Sequence, residues 1–148
     1  MIFISHRGNL TGKKPEMENK PSYISDALNQ GYHCEVDVWF VDNKFMLGHD
    51  EPKYGFPFVL FRSFYNKLWI HCKNTEAISA LNDFPETHLL NYFWHQNDDV
   101  TLTSKGYIWA YPGKQQIKNS IAVLPEIYND DISQCIGVCS DIIEKYKI

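Results

Sequence analysis

The sequence predicts an α/β fold with a mainly parallel sheet, formed by a single domain over residues 1–148. Short apolar segments typical of strands recur along the chain, and amphipathic helical stretches follow some of them. This rhythm of strand, helix and strand is typical of parallel sheets. A chain of 148 residues is long enough for one hydrophobic core and short for two.

The first predicted unit is a strand, a loop and a helix. Residues 2–5 are apolar and precede a polar, lysine-rich loop over residues 9–21. We expect Ser22 to cap a helix that Gly31 terminates. The apolar positions of this helix fall at helical spacing: Ile24, Ala27 and Leu28.

A hairpin and a second strand-helix unit come next. Residues 33–41 alternate charged and apolar side chains, and residues 42–43 turn the chain into a return strand over residues 44–47. Residues 68–73 are another strand candidate, after which Asn74 or Thr75 can cap a helix. Further strands are predicted at residues 88–94, 106–111, 120–124 and 136–140, and a final helical stretch at residues 142–147.

Composition narrows the classes of partner. The formal charge of −4 and the pI of about 5.8 leave no broad cationic surface for a nucleic-acid backbone. The apolar start of the chain is too short for a signal sequence, and no stretch reaches the length of a membrane span. We therefore expect no nucleic-acid partner, no membrane span and a cytoplasmic location.

The four cysteines lie in apolar, strand-like segments, which favours reduced, buried thiols over a disulfide framework. A zinc site is the sharper alternative, and its only support is a Cys-x-x-x-Cys spacing. The four residues are Cys34, Cys72, Cys135 and Cys139.

Glu35 and Asp37 project from one face of their predicted strand, since side chains alternate along a strand. Strands of parallel sheets are commonly buried on both faces, so these carboxylates are expected inside the protein. Two close carboxylates raise each other's proton affinity unless a cation lies between them. The pair therefore predicts a hard divalent ion with oxygen ligands.

Histidine and basic residues occupy the ends of neighbouring predicted strands. His6 precedes Arg7, whose guanidinium can grip a phosphate in bidentate fashion, and His49 lies in a polar loop after the hairpin. The strand over residues 68–73 places His71 and Lys73 on one face. Beside an acidic pair, Lys73 becomes a candidate phosphate contact.

The order of these segments resembles the N-terminal signature of the glycerophosphodiester phosphodiesterases, within the phospholipase C-like phosphodiesterase barrels. Four pieces match in order: His6-Arg7-Gly8, Glu18-Asn19, Glu35-Val36-Asp37 and Gly48-His49-Asp50. The resemblance implies that His6 and His49 are the general acid and base and that Arg7 contacts phosphate. It further implies that Glu35 and Asp37 bind metal, with Glu18 close to the metal or the phosphate.

The match departs from the family pattern at the third strand. The family has a Glu-x-Lys pattern there, and this chain has His71-Cys72-Lys73, so Lys73 matches and His71 replaces a carboxylate. The metal set is then Glu35 and Asp37 with His71 or Glu18. An imidazole softens this set, so a transition metal becomes as plausible as magnesium or calcium.

The resemblance predicts a trimmed or incomplete (β/α) barrel of the phospholipase C-like phosphodiesterase type. A complete eight-fold barrel takes about 250 residues, so connecting helices or whole βα units are expected to be missing. A partner subunit, possible in a homo-oligomer, would protect the open edge. Two later segments resemble barrel strands, residues 107–110 with a pocket Trp109 and residues 138–141 ending in Asp141.

The favoured function is hydrolysis of a glycerophosphodiester or a related small phosphodiester, with Arg7, Lys73, Trp109 and His95 contacting the substrate. Two alternatives remain open. One is a phosphate-ligand-binding module on the same barrel that has lost hydrolysis. The other is a metal-dependent hydrolase or lyase acting on a carbohydrate derivative, for which the polar segment from His95 to Lys105 would determine specificity.

Overall fold

The computed structural model describes residues 1–147, and ten strands within this range form one sheet. The sheet belongs to a mixed α/β fold and curls into a half-barrel. The strands are β1 (Ile2–His6), β2 (His33–Val41), β3 (Lys44–Leu47), β4 (Tyr54–Gly55), β5 (Leu68–Cys72), β6 (Asn91–Trp94), β7 (Val100–Leu102), β8 (Ile108–Ala110), β9 (Ser120–Val123) and β10 (Gly137–Ser140).

Seven of these strands run parallel, in the order β6-β5-β2-β1-β10-β9-β8. The first and last parallel strands of the chain, β1 and β10, are therefore neighbours. Strand β7 is antiparallel to β8. Strand β3 pairs antiparallel with the C-terminal half of β2, and β4 pairs antiparallel with β3. The predicted mainly parallel sheet and the hairpin between β2 and β3 are confirmed.

Helices follow the early strands. Helix α1 (Pro21–Asn29) comes after β1, and α2 (Thr75–Asn82) comes after β5. Shorter 3-10 turns occupy the ranges Phe58–Lys67, Thr87–Leu89, Pro125–Ile127 and Ile143–Tyr146. The connections after β6, β8 and β9 are loops or 3-10 turns, so the late part of the sheet lacks the α-helices of a full barrel.

The two predicted helix caps have different outcomes. Asn74 caps α2 as expected, because its side chain accepts a hydrogen bond from the backbone N–H of Ala77 at 3.2 Å. The expected cap at Ser22 is wrong, since α1 already begins at Pro21. Proline favours the first helical position because its fixed φ suits the helix and it has no N–H to satisfy. Lys20 precedes it without a side-chain cap.

Several sequence predictions miss local structure. The strand expected at residues 88–94 begins only at Asn91, since Thr87–Leu89 forms a 3-10 turn. The helical stretch expected at residues 142–147 is the 3-10 turn Ile143–Tyr146. Strands β4 and β7, with two and three residues, and the 3-10 segment Phe58–Lys67 were not predicted at all.

Two hydrophobic layers cover the faces of the sheet. The outer layer packs Val36, Val38 and Ile70 against the helices. The inner layer fills the hollow of the half-barrel with Trp69, Phe93, Trp109, Ile4, Ile121, Val123 and Cys139. Both faces of β2 are thus covered, and Glu35 and Asp37 on its inner face are 2% and 0% exposed, as predicted.

All four cysteines are free, in agreement with the prediction of reduced thiols; three are buried and Cys135 is partly exposed. Burial raises the pKa of Cys72 to about 12, which keeps this thiol protonated and inert. No helix among residues 1–147 has the length and apolar character needed to cross a membrane.

Gly48 lies at the junction between β3 and the loop that carries His49. A Cβ atom at this position would overlap the carbonyl oxygen of Glu51. The backbone N–H of Gly48 also donates to the Asp37 carbonyl at 3.2 Å. The Gly48→Ala variant should therefore lose about 1–3 kcal/mol of unfolding free energy, measured by urea denaturation.

The matched control is Gly55→Ala, where an added Cβ has open space. This variant should change the unfolding free energy by less than about 0.5 kcal/mol. Equal stability of the two variants would show that the loop moves freely and that Gly48 is not required for its path.

Candidate metal and catalytic site

The carboxyl ends of the parallel strands open into a cleft with a volume of about 780 Å³. Most of the predicted site residues line it together: His6, Arg7, Glu35, His49, His71, Lys73, His95 and Trp109. Asp37 lies buried beneath this cleft, and Glu18 lines an adjoining pocket of about 420 Å³ with Arg7 and His49. Residues from seven separate segments therefore meet at one edge of the sheet.

Strand pairing explains how the central residues meet. In the parallel register, His6 lies beside Glu35, and Asp37 lies beside His71. Their side chains point into the hollow because they share the inner face with Ile4 and Trp69. The polar residues thus form a layer directly above the aromatic floor of the half-barrel.

Glu35, Asp37 and His71 can hold a metal ion. One ligand atom from each residue lies within 4.8 Å of the other two. Within residues 1–147, Glu35 Oε2 and Asp37 Oδ1 are buried without a hydrogen-bond partner. Buried anionic oxygens are normally paired or bind metal, so this donor set fits a divalent ion.

The imidazole of His71 is oriented for the same purpose. Its Nε2 lies 3.4 Å from the carbonyl oxygen of His95, to which it donates when that nitrogen carries the proton. Nδ1 then presents its lone pair, at 3.1 Å from Asp37 Oδ1 and 3.9 Å from Glu35 Oε1. Metal-binding histidines commonly donate their other ring N–H to a backbone carbonyl in this way.

The two carboxylates differ in their electrostatic environment. Burial and the neighbouring Asp37 raise the pKa of Glu35. Burial also acts to raise the pKa of Asp37, but His71, when its Nδ1 carries a proton, and the Arg7 charge outweigh it and hold that pKa well below its usual range. Asp37 is therefore firmly ionised, whereas Glu35 needs an additional positive charge to be stabilised as an anion.

Three side chains, those of Arg7, Asn19 and Lys73, surround the Asp37 carboxylate. Arg7 Nε lies 2.9 Å from Oδ2, and the Asn19 side-chain amide donates to the same oxygen at 2.8 Å. The Asn19 side-chain oxygen in turn accepts from the Asp37 backbone N–H at 3.0 Å. Lys73 Nζ lies 3.8 Å from Oδ1. These contacts fix the carboxylate and leave Oδ1 free of hydrogen bonds.

Glu18 lies outside the group of three metal-binding candidates. Its Oε2 accepts a hydrogen bond from Arg7 Nη1 at 3.2 Å, and its Oε1 accepts one from the Asn9 side chain at 2.9 Å. The structure therefore places Glu18 beside the predicted phosphate contact, where it holds the guanidinium. Of the two candidates for the third metal ligand, His71 has the required geometry.

His6 is buried and held by Asp141. Its Nδ1 donates to Asp141 Oδ1 at 2.7 Å, which leaves Nε2 toward the cleft, 3.8 Å from Glu35 Oε2. Burial acts to lower the pKa of His6, but the Asp141 hydrogen bond and the Glu35 charge outweigh it, so the pKa is raised. A carboxylate that fixes the ring tautomer is a common partner of catalytic histidines.

His49 occupies a contrasting environment on the loop after β3. Its side chain is 44% exposed, and Nδ1 lies 2.8 Å from the Asp50 carboxylate. Burial and the Arg7 charge lower its pKa. The two histidines therefore line one cleft with opposite pKa shifts, which suits a pair that exchanges protons with a bound ligand.

One wall of the cleft is aromatic. The His95 ring stacks on Tyr111 with 3.4 Å between ring centroids and an angle of 18°. Burial and the nearby His71 lower the pKa of His95 to about 4, so its ring is neutral. Together with Trp109, which lines the same cleft, these rings offer a flat, uncharged surface.

Four residues of this site had no predicted role. Asn19 was noted only as part of the Glu18-Asn19 motif, and Asp141 only as the end of a late strand. Asn9 was placed in a loop, and Tyr111 at the end of a strand. The sequence signal available for Asp141 was its position directly after an apolar strand, because functional residues of parallel sheets commonly follow the carboxyl ends of strands.

Comparisons of the chain with protein-family models, curated proteins and solved structures returned no match.

Metal binding should depend on the three converging side chains. Titration of the protein with Mn²⁺, followed by calorimetry, should give a single site. His71→Ala and Glu35→Gln should each weaken the site by at least about tenfold, because each removes one ligand from a buried set. His88 and Glu76 are exposed, so His88→Ala and Glu76→Gln should leave the affinity unchanged. Unchanged affinity in the first two variants would exclude this group as the metal site.

The Asp141→Asn variant tests the His6–Asp141 pair through its pH dependence. Although burial acts to raise the pKa of Asp141, the His6 hydrogen bond lowers it overall. A lowered carboxyl pKa contributes stability above the unfolded value, about 4, and loses it as the pH falls through the folded value. Wild type should exceed Asp141→Asn by about 1–3 kcal/mol near neutral pH, with the gap closing below about pH 4.

Urea denaturation near neutral pH and near pH 3 measures this gap. Asp26 is exposed on α1, so Asp26→Asn should stay within about 0.5 kcal/mol of wild type near neutral pH. A gap of constant size across this range would contradict the ion-paired assignment of Asp141.

Proposed function

We propose that this chain is a metal-dependent phosphodiesterase of the glycerophosphodiester phosphodiesterase-like type, built on a trimmed barrel of the phospholipase C-like class. Its substrate would be a glycerophosphodiester or a related small phosphodiester. The observation that carries the proposal is the convergence of a metal-binding group with two histidines and two cationic side chains in one cleft.

Glu35, Asp37 and His71 would hold the divalent ion. Mg²⁺ and Ca²⁺ suit the two carboxylates, and the imidazole also admits a transition metal. When bound, the ion supplies Lewis acidity that polarises a phosphoryl oxygen. The support for this assignment is the pair of buried carboxylate oxygens without hydrogen-bond partners.

Arg7 and Lys73 would bind the phosphate and stabilise its developing charge. Both line the cleft, and both lie within 4 Å of Asp37, at 2.9 Å for Arg7 Nε and 3.8 Å for Lys73 Nζ. Fixed cationic donors beside a site of charge development lower the barrier because they need no reorganisation during the reaction. Glu18 holds Arg7 in this position through the 3.2 Å contact.

His6 and His49 would carry the protons. One accepts a proton from the attacking hydroxyl, which comes from water or from the substrate itself, and the other donates a proton to the leaving alkoxide. Asp141 holds His6 at Nδ1, so Nε2 is the atom available to the reaction. His49 reaches the same cleft from the loop after β3.

A phosphate-ligand-binding module without hydrolysis is the second candidate. The observation that favours it is His71, which stands where the resembled family has a carboxylate and leaves the metal group with one fewer negative charge. In this case Arg7 and Lys73 would still bind phosphate. We also propose that the chain acts in the cytoplasm, and that a second copy can cover the open edge of the half-barrel.

Hydrolysis of a panel of glycerophosphodiesters, with and without a chelator, tests the proposed function. Turnover should require metal and should fall at least about 100-fold in Glu35→Gln and in His49→Ala, which remove a metal ligand and a proton-transfer group. Glu76→Gln and His88→Ala are the matched controls and should retain full activity. Absence of turnover with every metal, together with phosphate binding by the folded protein, would replace hydrolysis with the binding-module function.

A further inference from the structure

Asn9 is a fully buried polar residue at the tight turn after β1. Its backbone N–H donates to the His6 carbonyl at 2.9 Å, and its own carbonyl accepts from Ser5 Oγ at 2.9 Å. Arg7 and Gly8 lie inside this turn with φ values of 56° and 95°. Such a turn places the side chains of His6, Arg7 and Asn9 close to one another.

The side chain of Asn9 uses its full hydrogen-bonding capacity. Its Nδ2 donates to Glu18 Oε1 at 2.9 Å and to Asp141 Oδ1 at 2.8 Å. Its Oδ1 accepts from the Lys14 backbone N–H at 3.1 Å and from Tyr23 Oη at 3.2 Å. Two acceptors on one side and two donors on the other fix which end is nitrogen and which is oxygen.

Each of the two carboxylates bound by Asn9 continues to a different functional side chain. Glu18 contacts Arg7 Nη1 at 3.2 Å, and Asp141 contacts His6 Nδ1 at 2.7 Å. Asn9 therefore lies at the centre of a chain of hydrogen bonds that runs from the guanidinium to the imidazole. It also separates two carboxylates that would otherwise repel each other.

We propose that Asn9 is a positioning residue that holds the proton-transfer group His6 and the phosphate contact Arg7 in a common arrangement. The inference rests on the proposed function for the roles of these two residues, while the hydrogen-bond chain itself stands independently of it. Asparagine suits the position because it combines two donors with an acceptor. Aspartate would put a third carboxylate against Glu18 and Asp141, and alanine would leave their oxygens without this donor.

Nuclear magnetic resonance of the whole protein tests the proposal without reference to turnover. In wild type, at a pH where the His6 ring is neutral, its nitrogens should show one tautomer with the proton on Nδ1, and the Arg7 Nη1 protons, which face Glu18, should exchange slowly. Asn9→Ala should convert His6 to a mixture of tautomers and speed exchange at Arg7 by about tenfold, because both carboxylates lose a donor. Asp141→Asn should affect His6 alone, and Glu18→Gln should affect Arg7 alone.

Asn91→Ala is the matched control, since Asn91 is a buried asparagine at the opposite end of its strand from the cleft. It should alter stability while leaving both signals unchanged. If Asn9→Ala does not fold, Asn9→Ser supplies the same loss of Nδ2 with a smaller change in polarity. A folded Asn9 variant in which both signals match wild type would overturn the proposal.

Kinetics separate this inference from the proposed function. If the wild type hydrolyses a phosphodiester, Asn9→Ala should lower kcat and raise KM together, each by about tenfold or more. The reason is that this variant disturbs both the Asp141–His6 contact and the Glu18–Arg7 contact. Asp141→Asn should act mainly on kcat and Glu18→Gln mainly on KM. A wild type without turnover would refute the proposed function and leave the resonance experiment to decide the role of Asn9.

Discussion

The burial of Glu35 and Asp37 on one strand face is the constraint on which the rest of the site depends. Removing a carboxylate from water costs several kcal/mol unless charges and hydrogen bonds replace its hydration. Asp37 obtains this replacement from Arg7, Asn19 and Lys73. Glu35 has His6 and His71 at 3.8 and 3.9 Å, and its Oε2 has no hydrogen-bond partner within residues 1–147. The unequal compensation of the two carboxylates is the strongest physical argument for a cation between them.

Much of this constraint could be predicted from the sequence, because it depends on local alternation. The period of two along residues 33–41 places Glu35 and Asp37 on one face, and the same period places His71 beside Lys73. The contacts that complete the site could not be predicted in this way. Asp141 meets His6 across 135 positions of the chain because β10 pairs with β1, a neighbour relation that local sequence patterns do not reveal. Glu18 and Asn9 meet through a loop whose path depends on left-handed backbone at Arg7 and Asn19.

The late strands of the half-barrel have no α-helices behind them, whereas the polar residues of the candidate site lie mainly on the early strands. The strands that carry Glu35, Asp37 and His71 are backed by α1, α2 and the 3-10 segment Phe58–Lys67 through the outer hydrophobic layer. The later strands contribute mainly aromatic and apolar side chains to the floor and wall of the cleft. An aromatic floor depends on packing within the hollow more than on helices outside it, so the absence of α-helices behind the late strands is compatible with the polar layer.

Charge balance relates the unusual His71 to the chemistry proposed for the cleft. Two ionised carboxylates with one divalent ion are neutral together, and a third carboxylate at position 71 would leave this group negative. Around it, Arg7 is paired with Glu18 and His6 with Asp141, while Lys73 and Lys13 add further positive charge to the lining of the cleft. With a divalent ion bound, these charges would favour an anionic phosphate ester in the cleft. The imidazole in place of a third carboxylate would therefore leave the cleft better suited to the anionic ligand that we propose.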